Sequence, residues 1–200
     1  MSCLPFNQSA ERNREVIIRL IEDLIESSAS ILEVASGTGQ HAHMFCQRNP
    51  KATWQTSDLS QDKLEDIEAW RHDLGQGNFL EPLIFDCTSL VPFKPGSFDM
   101  LVNINMIHIS PWAACEGLMK TAAHCLKEKG ILFLYGPYIR KDVVTAESNL
   151  EFDAWLRSMN PEFGIRNLEA VRELGDAHGL ALERIESMPA NNLSLVFRRI

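Results

Sequence analysis

Short apolar runs typical of buried strands alternate with helical patterns along most of this 200-residue chain. Isoleucine and leucine recur at helical spacing from Val16 to Ile25, and Ser9 is a suitable cap for that helix. A strand-type run at residues 30–35 follows, and Gly37 and Gly39 end it before another helical pattern. This alternation favours a mostly parallel sheet covered by helices on both faces.

The same patterns predict seven strands and their connecting helices. The strands are expected at residues 30–35, 53–56, 80–85, 98–103, 131–135, 180–187 and 193–197, and helices at 40–47, 61–74 and 112–127. The last two strands are joined by a short connection at residues 188–192, which predicts one antiparallel strand at or near the sheet edge. The predicted fold is therefore α/β, a three-layer sandwich with a doubly wound, mostly parallel seven-stranded sheet.

Composition limits the partners and the compartment. The chain carries 27 acidic and 19 basic residues, a net charge of −8, which disfavours a nucleic-acid partner. The longest apolar stretch, residues 100–109, is interrupted by Asn103, Asn105 and His108, so no membrane-spanning helix is expected. Five cysteines without a Cys-x-x-Cys pair indicate reduced thiols, and residues 1–6 do not resemble a secretory signal. We expect one soluble domain over residues 1–200, in the cytoplasm or the nucleus, with its oligomeric state open.

Three acidic residues lie at or near the ends of successive predicted strands: Glu33, Asp58 and Asp86. In such a sheet, ligands bind beyond the carboxyl ends of the strands, and Gly37 and Gly39 let the backbone approach a ligand closely. Asp58 is placed to accept hydrogen bonds from both hydroxyls of a ribose, and Asp86 to meet an adenine amino group. A carboxylate at Glu33 would repel a pyrophosphate and attract an ammonium group. The three acids together favour a cationic nucleoside of the adenosyl sulfonium type.

Other interpretations of these residues stay open. Residues 37–42 also satisfy the Gly-x-Gly-x-x-Ala fingerprint of dinucleotide-binding enzymes, so a nicotinamide-dependent oxidoreductase is the main alternative. The glycine turn could also connect strand and helix without a ligand. Asp58 could be a helix cap and Asp86 a simple loop acid.

The motif Glu-Val-Ala-Ser-Gly-Thr-Gly at residues 33–39, together with Asp58, Asp86 and the strand that starts at Phe98, resembles the motifs of class I S-adenosylmethionine-dependent methyltransferases. More specific strings are similar to the methyltransferase-like protein 26 family, and these lie at residues 10–13, 39–42, 54–58, 103–111, 135–138 and 188–192. The similarity runs from about residue 10 to 199. It implies a Rossmann-like methyltransferase fold, S-adenosylmethionine as cofactor and S-adenosylhomocysteine as product, but no particular acceptor.

Strand ends and resemblance together predict the cofactor site. The expected cofactor-binding residues are Arg12, Asn13, Glu33, Ala35, Gly37, Gly39, His41, Asp58, Leu59, Asp86, Cys87 and Asn103. The assignment of Arg12 and Asn13 to the cofactor site depends mainly on the resemblance. Both residues belong to an expected N-terminal helical cap, residues 1–28. His41 and His43 would point about 200° apart on a helix, so no metal site is expected.

The acceptor side is predicted less sharply. The expected catalytic residues are His108, Asn105 and Tyr138, and Trp112, Tyr135, Asn191 and Asn192 are further candidates for lining the acceptor pocket. His108 is the candidate base because imidazole titrates near neutrality, with a core histidine bonded to backbone as the alternative. Residues 145–164 are expected to cover this pocket, with Ser148 or Asn149 as helix cap and Phe152, Trp155 and Leu156 on one face.

The predicted reaction is methyl transfer from S-adenosylmethionine to an unidentified small-molecule or protein acceptor. The alternatives are a nicotinamide-dependent oxidoreductase and a catalytically silent interaction protein with the methyltransferase fold. No membrane or nucleic-acid partner is expected.

Overall fold

A computed structural model describes residues 4–200. Cys3 and the rest of the first three residues lie outside the described residues, as does that part of the expected cap at residues 1–28.

The described chain forms six helices and eight strands. The helices are α1 (Gln8–Glu22), α2 (Gln40–Arg48), α3 (Gln61–Leu74), α4 (Trp112–Cys125), α5 (Glu147–Met159) and α6 (Leu168–Ala177). The strands are β1 (Ser30–Val34), β2 (Thr53–Asp58), β3 (Leu83–Ile84), β4 (Phe98–Ile104), β5 (Leu126–Ile139), β6 (Arg166–Asn167), β7 (Leu180–Met188) and β8 (Asn192–Arg199). A short 3₁₀ turn, Met106–His108, follows β4.

Seven of the strands follow one another in the sheet in the order β3-β2-β1-β4-β5-β8-β7, and β6 pairs in parallel with the end of β5. The pairs from β3 to β5 are parallel, and β8 is antiparallel to both of its neighbours. The predicted α/β sandwich with a mostly parallel sheet and one antiparallel strand is confirmed. The carboxyl ends of β1 to β5 and the β7–β8 turn consequently lie along the same edge of the sheet, here called the carboxyl edge.

Two apolar cores separate the sheet from its helices. On one face, Ile17 of α1, Phe45 of α2 and Ile67 of α3 belong to a cluster with inward-facing strand residues. On the other face, Leu118 of α4 and Val171 of α6 pack against the opposite side of the same strands. Because strand side chains alternate between faces, each central strand contributes to both cores. The three layers predicted from the sequence follow from this arrangement.

Several element boundaries differ from the sequence prediction. The N-cap of α1 is Asn7, not Ser9, because the Asn7 side chain accepts hydrogen bonds from the backbone N–H groups of Ser9 and Ala10. The third strand is only Leu83–Ile84, since Pro82 has no N–H to donate to a strand ladder. Helix α4 ends at Cys125, and β5 begins directly after it at Leu126. Strand β6 was not predicted from the sequence, because it has only two residues and no apolar pattern that would reveal it.

Helix α5 also departs from expectation. Its N-cap is Ala146 without a side-chain capping bond, so Ser148 and Asn149 lie inside the helix. Leu156 is fully buried, whereas Phe152 and Trp155 stack on each other at the surface, so these three residues do not share one buried face.

Among residues 4–200, no helix has the length and apolar character needed to cross a membrane.

Candidate functional site

The glycine loop connects β1 to α2 at the carboxyl edge. Ala35, Gly37 and Gly39 have positive φ angles of 59°, 60° and 84°. No atom lies within 4 Å of the position that a Gly37 Cβ would occupy, whereas a Cβ on Gly39 would come within 3.2 Å of the Ile67 Cα. The loop is therefore open to a ligand at Gly37 and packed tightly against α3 at Gly39. The left-handed backbone of Ala35 is a feature that sequence analysis did not reveal.

Asp58, the last residue of β2, holds the glycine loop in place. Its Oδ2 accepts a hydrogen bond from the Gly37 backbone N–H at 3.0 Å, and its Oδ1 accepts from the Ser60 N–H at 3.3 Å. The N-cap of α3 is Ser60, so Asp58 precedes the cap position. An ionised carboxylate offers about four lone-pair sites, so two remain for a ligand. Leu59 beside it is 67% exposed.

Glu33 lies deeper than the sequence suggested. Only 1% of it is exposed, and its Oε2 accepts a hydrogen bond from the Trp54 Nε1–H at 3.0 Å. Burial raises the pKa of Glu33 to about 7, and the nearby Asp58 adds to the rise. Glu33 was expected beside the turn, but it is buried beneath the loop, where it still lies close to Asp58.

Asn103 at the end of β4 completes the floor of the loop. Its Nδ2 donates to the Val34 carbonyl at 2.8 Å, which joins β4 to the last residue of β1. Its Oδ1 is buried and has no hydrogen-bond partner among the described residues. A buried, unpaired oxygen of this kind is available to a donor on a ligand.

Asp86 and Cys87 follow β3. Asp86 Oδ1 accepts hydrogen bonds from both the backbone N–H and the hydroxyl of Thr88, at 2.8 and 2.7 Å. Asp86 is thus at the carboxyl edge, but it also stabilises its own turn, as the loop-acid interpretation predicted. The thiol of Cys87 points to the Ala114 carbonyl at 3.3 Å, and burial raises its pKa to about 11. The Cys87 side chain therefore packs against α4, away from the expected ligand.

Gln40 connects α1 to the glycine loop. Its Oε1 accepts hydrogen bonds from the Asn7 N–H at 2.7 Å and from the Thr38 hydroxyl at 2.9 Å. Its Nε2 donates to Glu11 at 3.2 Å, and the whole side chain is buried. Sequence analysis missed this role, although Gln40 lies within one of the strings that carry the resemblance.

Asn13 and His41 also join α1 to α2, whereas Arg12 does not. Asn13 Oδ1 on α1 lies 3.0 Å from His41 Nε2 on α2. Burial lowers the pKa of His41 to about 4, so the ring is neutral at pH 7. The exposed Arg12 contacts Ser9 on its own helix. The structure thus brings Asn13 and His41 together and leaves Arg12 on the outside.

His108 is packed into the protein, and its surroundings argue against the expected role of general base. Its ring is 1% exposed, and Nδ1 accepts a hydrogen bond from the Arg166 N–H at 3.3 Å. A Cβ on Gly136 would lie 2.4 Å from Nε2, so the strand passes directly over the ring. Burial and the Arg166 charge lower the pKa of His108 to about 3. An effective base has a pKa near the working pH, so the alternative of a histidine bonded to backbone fits better.

Asn105 and Tyr138, the other expected catalytic residues, lie on either side of His108. Asn105 has a positive φ of 65°, and its N–H donates to the Tyr135 carbonyl at 2.8 Å. The Tyr138 ring meets His108 edge-on at 5.0 Å, and its hydroxyl is buried without a partner in the described residues. Burial raises the pKa of Tyr138 well above its usual value.

A cavity of about 250 Å³, here called the β5 cavity, opens at the carboxyl edge. It lies between the end of β5, the β7–β8 turn and the segment before α5. Of the residues expected on the acceptor side, it is lined by Tyr138, Asn191 and Asn192, and Thr145, Ala146 and Asn149 contribute the part of residues 145–164 that borders it. His108 and Trp112 are not among its lining residues. A second cavity of about 490 Å³ lies at the opposite end of the sheet, beside Asp99 and Lys127.

Across residues 4–200, no three histidine, cysteine, aspartate or glutamate side chains are grouped so that they could hold a metal ion. His41 and His43 face different partners, as expected from their spacing: His43 Nε2 lies 3.2 Å from Asp73 on α3.

Solved structures show the same fold. An O-methyltransferase family 2 protein from Planctomyces limnophilus, in complex with apigenin, matches with a TM-score of 0.79 and 18% identity over 96% of this chain and 60% of that one. An O-methyltransferase family protein from Burkholderia thailandensis matches with a TM-score of 0.76 and 17% identity, over 94% of this chain and 59% of that one. The PH0226 protein from Pyrococcus horikoshii matches with a TM-score of 0.77 and 14% identity, over 97% of this chain and 93% of that one.

These similarities establish the Rossmann-like fold of class I methyltransferases. This chain spans about 60% of the two O-methyltransferase chains and nearly all of the Pyrococcus horikoshii protein. Residues 4–199 match the family model described as "Protein of unknown function (DUF938)", and the chain belongs to that family.

Proposed function

We propose that this protein is an S-adenosylmethionine-dependent methyltransferase acting on a small-molecule or protein acceptor. The observation that carries the proposal is the hydrogen bond from the Gly37 N–H to the Asp58 carboxylate at 3.0 Å. In dinucleotide-binding loops such an N–H group faces the pyrophosphate. Here a carboxylate takes that bond, and the buried Glu33 lies below it. The Asp58 carboxylate at this position suits a cationic nucleoside and disfavours a pyrophosphate.

The residues present fit the proposed cofactor. Asp58 has lone pairs left for the ribose hydroxyls, and the exposed Leu59 offers apolar surface to the adenine ring. The unpartnered Asn103 Oδ1 is suited to accept a hydrogen bond from the ammonium group of the methionine part. The space beside Gly37 allows the ligand to lie against the backbone.

If held by Asp58 and Asn103, the cofactor would supply a methyl group on a sulfonium: a lone pair of the acceptor would form the new bond, and the electron pair of the C–S bond would stay on sulfur. The main demand on the protein is to align the acceptor and exclude water. Since His108 is buried and neutral, we infer that alignment of the acceptor, and not a general base at His108, carries the catalysis. Helix α1, held by Gln40 and by the Asn13–His41 contact, would form the cap over the cofactor.

The strings that resemble the methyltransferase-like protein 26 family support the same fold and cofactor, and we propose a cytoplasmic protein. The remaining alternatives are a nicotinamide-dependent oxidoreductase and a silent interaction protein, and ligand binding separates the three.

Isothermal titration calorimetry with S-adenosylmethionine, S-adenosylhomocysteine and NAD tests the proposal. We expect the first two to bind and NAD not to bind. Asp58→Ala should weaken S-adenosylhomocysteine binding at least about tenfold, which corresponds to about 1.4 kcal/mol. Asp62→Ala, an exposed acid in the first turn of α3, is the matched control and should bind like the unchanged protein.

Binding of NAD alone would favour the oxidoreductase, and binding of none of the three would favour the interaction protein. Either result overturns the proposed function. Circular dichroism of Asp58→Ala separates loss of a ligand contact from loss of the fold.

A further inference from the structure

We propose that the β5 cavity binds the methyl acceptor and that the acceptor is a small molecule carrying a carboxylate, which Arg140 recognises. This inference rests on the proposed methyltransferase function.

The position of the β5 cavity suits an acceptor. Its walls come from the end of β5 and from both sides of the β7–β8 turn, so it lies on the same carboxyl edge as the glycine loop. Tyr135, three residues before Tyr138 on β5, belongs to the same apolar core as Ile17 of α1. Strand β5 thus packs against the helix that is proposed to cover the cofactor, and its end forms part of the cavity wall.

Arg140 is the one charged side chain that lines the cavity in the described part of the chain. This is unusual in a protein with a net charge of −8, and it gives the cavity a local positive charge. The guanidinium has five N–H donors in a fork that matches a carboxylate. An acceptor with a carboxylate would therefore be held in one orientation as well as attracted.

The present partner of Arg140 is easily replaced. One guanidinium nitrogen lies 3.2 Å from an Asp142 oxygen, and the Asp142 side chain is 70% exposed. Exposed ion pairs of this kind contribute little to stability. A ligand carboxylate can take the place of Asp142 at little cost.

The asparagines around the cavity use their amide N–H groups to build its wall. Asn149 Nδ2 donates to the Asn191 carbonyl at 3.1 Å, Asn191 Nδ2 donates to the Ser148 hydroxyl at 3.2 Å, and Asn192 Nδ2 donates to the Pro189 carbonyl at 2.9 Å. These bonds fix the β7–β8 turn against α5. Arg140 is left as the lining side chain with several free donors.

The remaining wall combines apolar side chains with Tyr138, Thr145 and Ser187, and it limits the size of the ligand. Val143, Val144, Met188 and Leu193 line it, and the volume of about 250 Å³ lies below the roughly 300–1,000 Å³ of sites for drug-sized molecules. The cavity thus fits a compact apolar body with an acidic group at one end. Arg140 binds the carboxylate of the acceptor. The methyl group is transferred to a lone pair on a different atom of the acceptor. Where that atom carries a hydrogen, its proton passes to solvent water.

Two-dimensional NMR with benzoate and its neutral counterpart benzamide tests the recognition directly. We expect benzoate to shift the side-chain amide signals of Asn149 and Asn191 in a saturable manner, and benzamide to do so at least about fivefold more weakly. Arg140→Gln should abolish this difference, Arg140→Lys should retain part of it, and Asp142→Asn should strengthen benzoate binding. Arg172→Gln, exposed on α6, is the control and should behave like the unchanged protein. Equal shifts by both probes, or shifts that persist in Arg140→Gln, would overturn the inference.

Methyl transfer from labelled S-adenosylmethionine tests the substrate class. Low-molecular-mass cell extract is separated by anion exchange, and we expect label to enter compounds from the retained, acidic fraction. Arg140→Gln should reduce this labelling at least about tenfold while its affinity for S-adenosylhomocysteine stays unchanged. Label that enters only proteins, only neutral or basic compounds, or no compound at all would count against the inference. If S-adenosylhomocysteine itself does not bind, the proposed function fails instead, so the two failures are distinguishable.

Discussion

At the scale of single residues, two carboxyl groups on neighbouring strands occupy opposite environments. Asp58 is half-buried and accepts two backbone N–H bonds, whereas Glu33 is enclosed and has one hydrogen bond, from Trp54. Both were predicted at the carboxyl edge because both lie close to strand ends. Their different burial depends on how α1 and α2 cover the loop, which a single sequence does not reveal. For the same reason, His108 and Cys87 were expected to face a ligand and are packed inside.

Glu33 should make the protein less stable as the pH rises. Its pKa is about 7 in the folded protein against a usual value of 4.5, so the folded state binds the proton more tightly than the unfolded chain. The free energy of unfolding should therefore fall between about pH 4.5 and pH 7, by about 3 kcal/mol in total. Glu33→Gln removes this titration and keeps an oxygen for the Trp54 hydrogen bond. Urea unfolding at several pH values measures the difference.

The comparison must be made between variants because buried histidines act in the opposite direction. Burial lowers the pKa of His41 and His108, so they reduce stability as the pH falls below about 6.5. Subtracting the curve of Glu33→Gln from that of the unchanged protein removes their contribution. The exposed Glu65→Gln on α3 is the control. A difference that does not vary with pH would contradict the expected burial of the Glu33 charge.

At the scale of helices and strands, sequence patterns predicted best where apolar periodicity is strong. Helix α3 has the expected bounds, 61–74, and β7 and β8 lie within two residues of the prediction at each end. The two-residue strands β3 and β6 were predicted too long or not at all, because tertiary pairing rather than local pattern creates them. Asn191 and Asn192 were correctly placed beside a cavity, since a hairpin between β7 and β8 brings their turn to the carboxyl edge.

Gln40 should control how firmly α1 is attached. Its side chain bonds Asn7, Glu11 and Thr38, so Gln40→Ala removes the polar link between α1 and the glycine loop. We expect the free energy of unfolding to fall by about 1–3 kcal/mol. Hydrogen exchange should show lower amide protection in α1 than in β5 and β8. The control is Gln47→Ala, at an exposed residue of α2, the helix that also contains Gln40. Equal behaviour of the two variants would rule out this role for Gln40.

At the scale of the whole molecule, the three layers followed from the alternation of patterns, whereas the strand order was not predicted. The helices that cover both sheet faces determine which side chains solvent can reach. Cys46, Cys87, Cys115 and Cys125 are all buried. Burial raises their pKa values to about 11 or 12. The thiolate is the reactive form, so both access and ionisation are suppressed in the folded protein.

These four thiols should therefore report on global unfolding. In a Cys3→Ser background, which leaves only the described cysteines, we expect a thiol reagent at pH 8 to label none of the four rapidly in the native protein. All four should react together once denaturant unfolds both cores. Mass spectrometry of the labelled species measures this, and one thiol that reacts early would identify a part of the fold that opens independently.

Strand β8 lies between β5 and β7, although β7 comes before it in the chain. Within the described residues, β7 pairs with β8 alone, and β8 also covers the outer side of β5. The outer side of β5 therefore stays unpaired until β8 has been synthesised. An unpaired strand edge attracts other chains. We therefore expect a chain that lacks β8 to aggregate through the unpaired edge of β5.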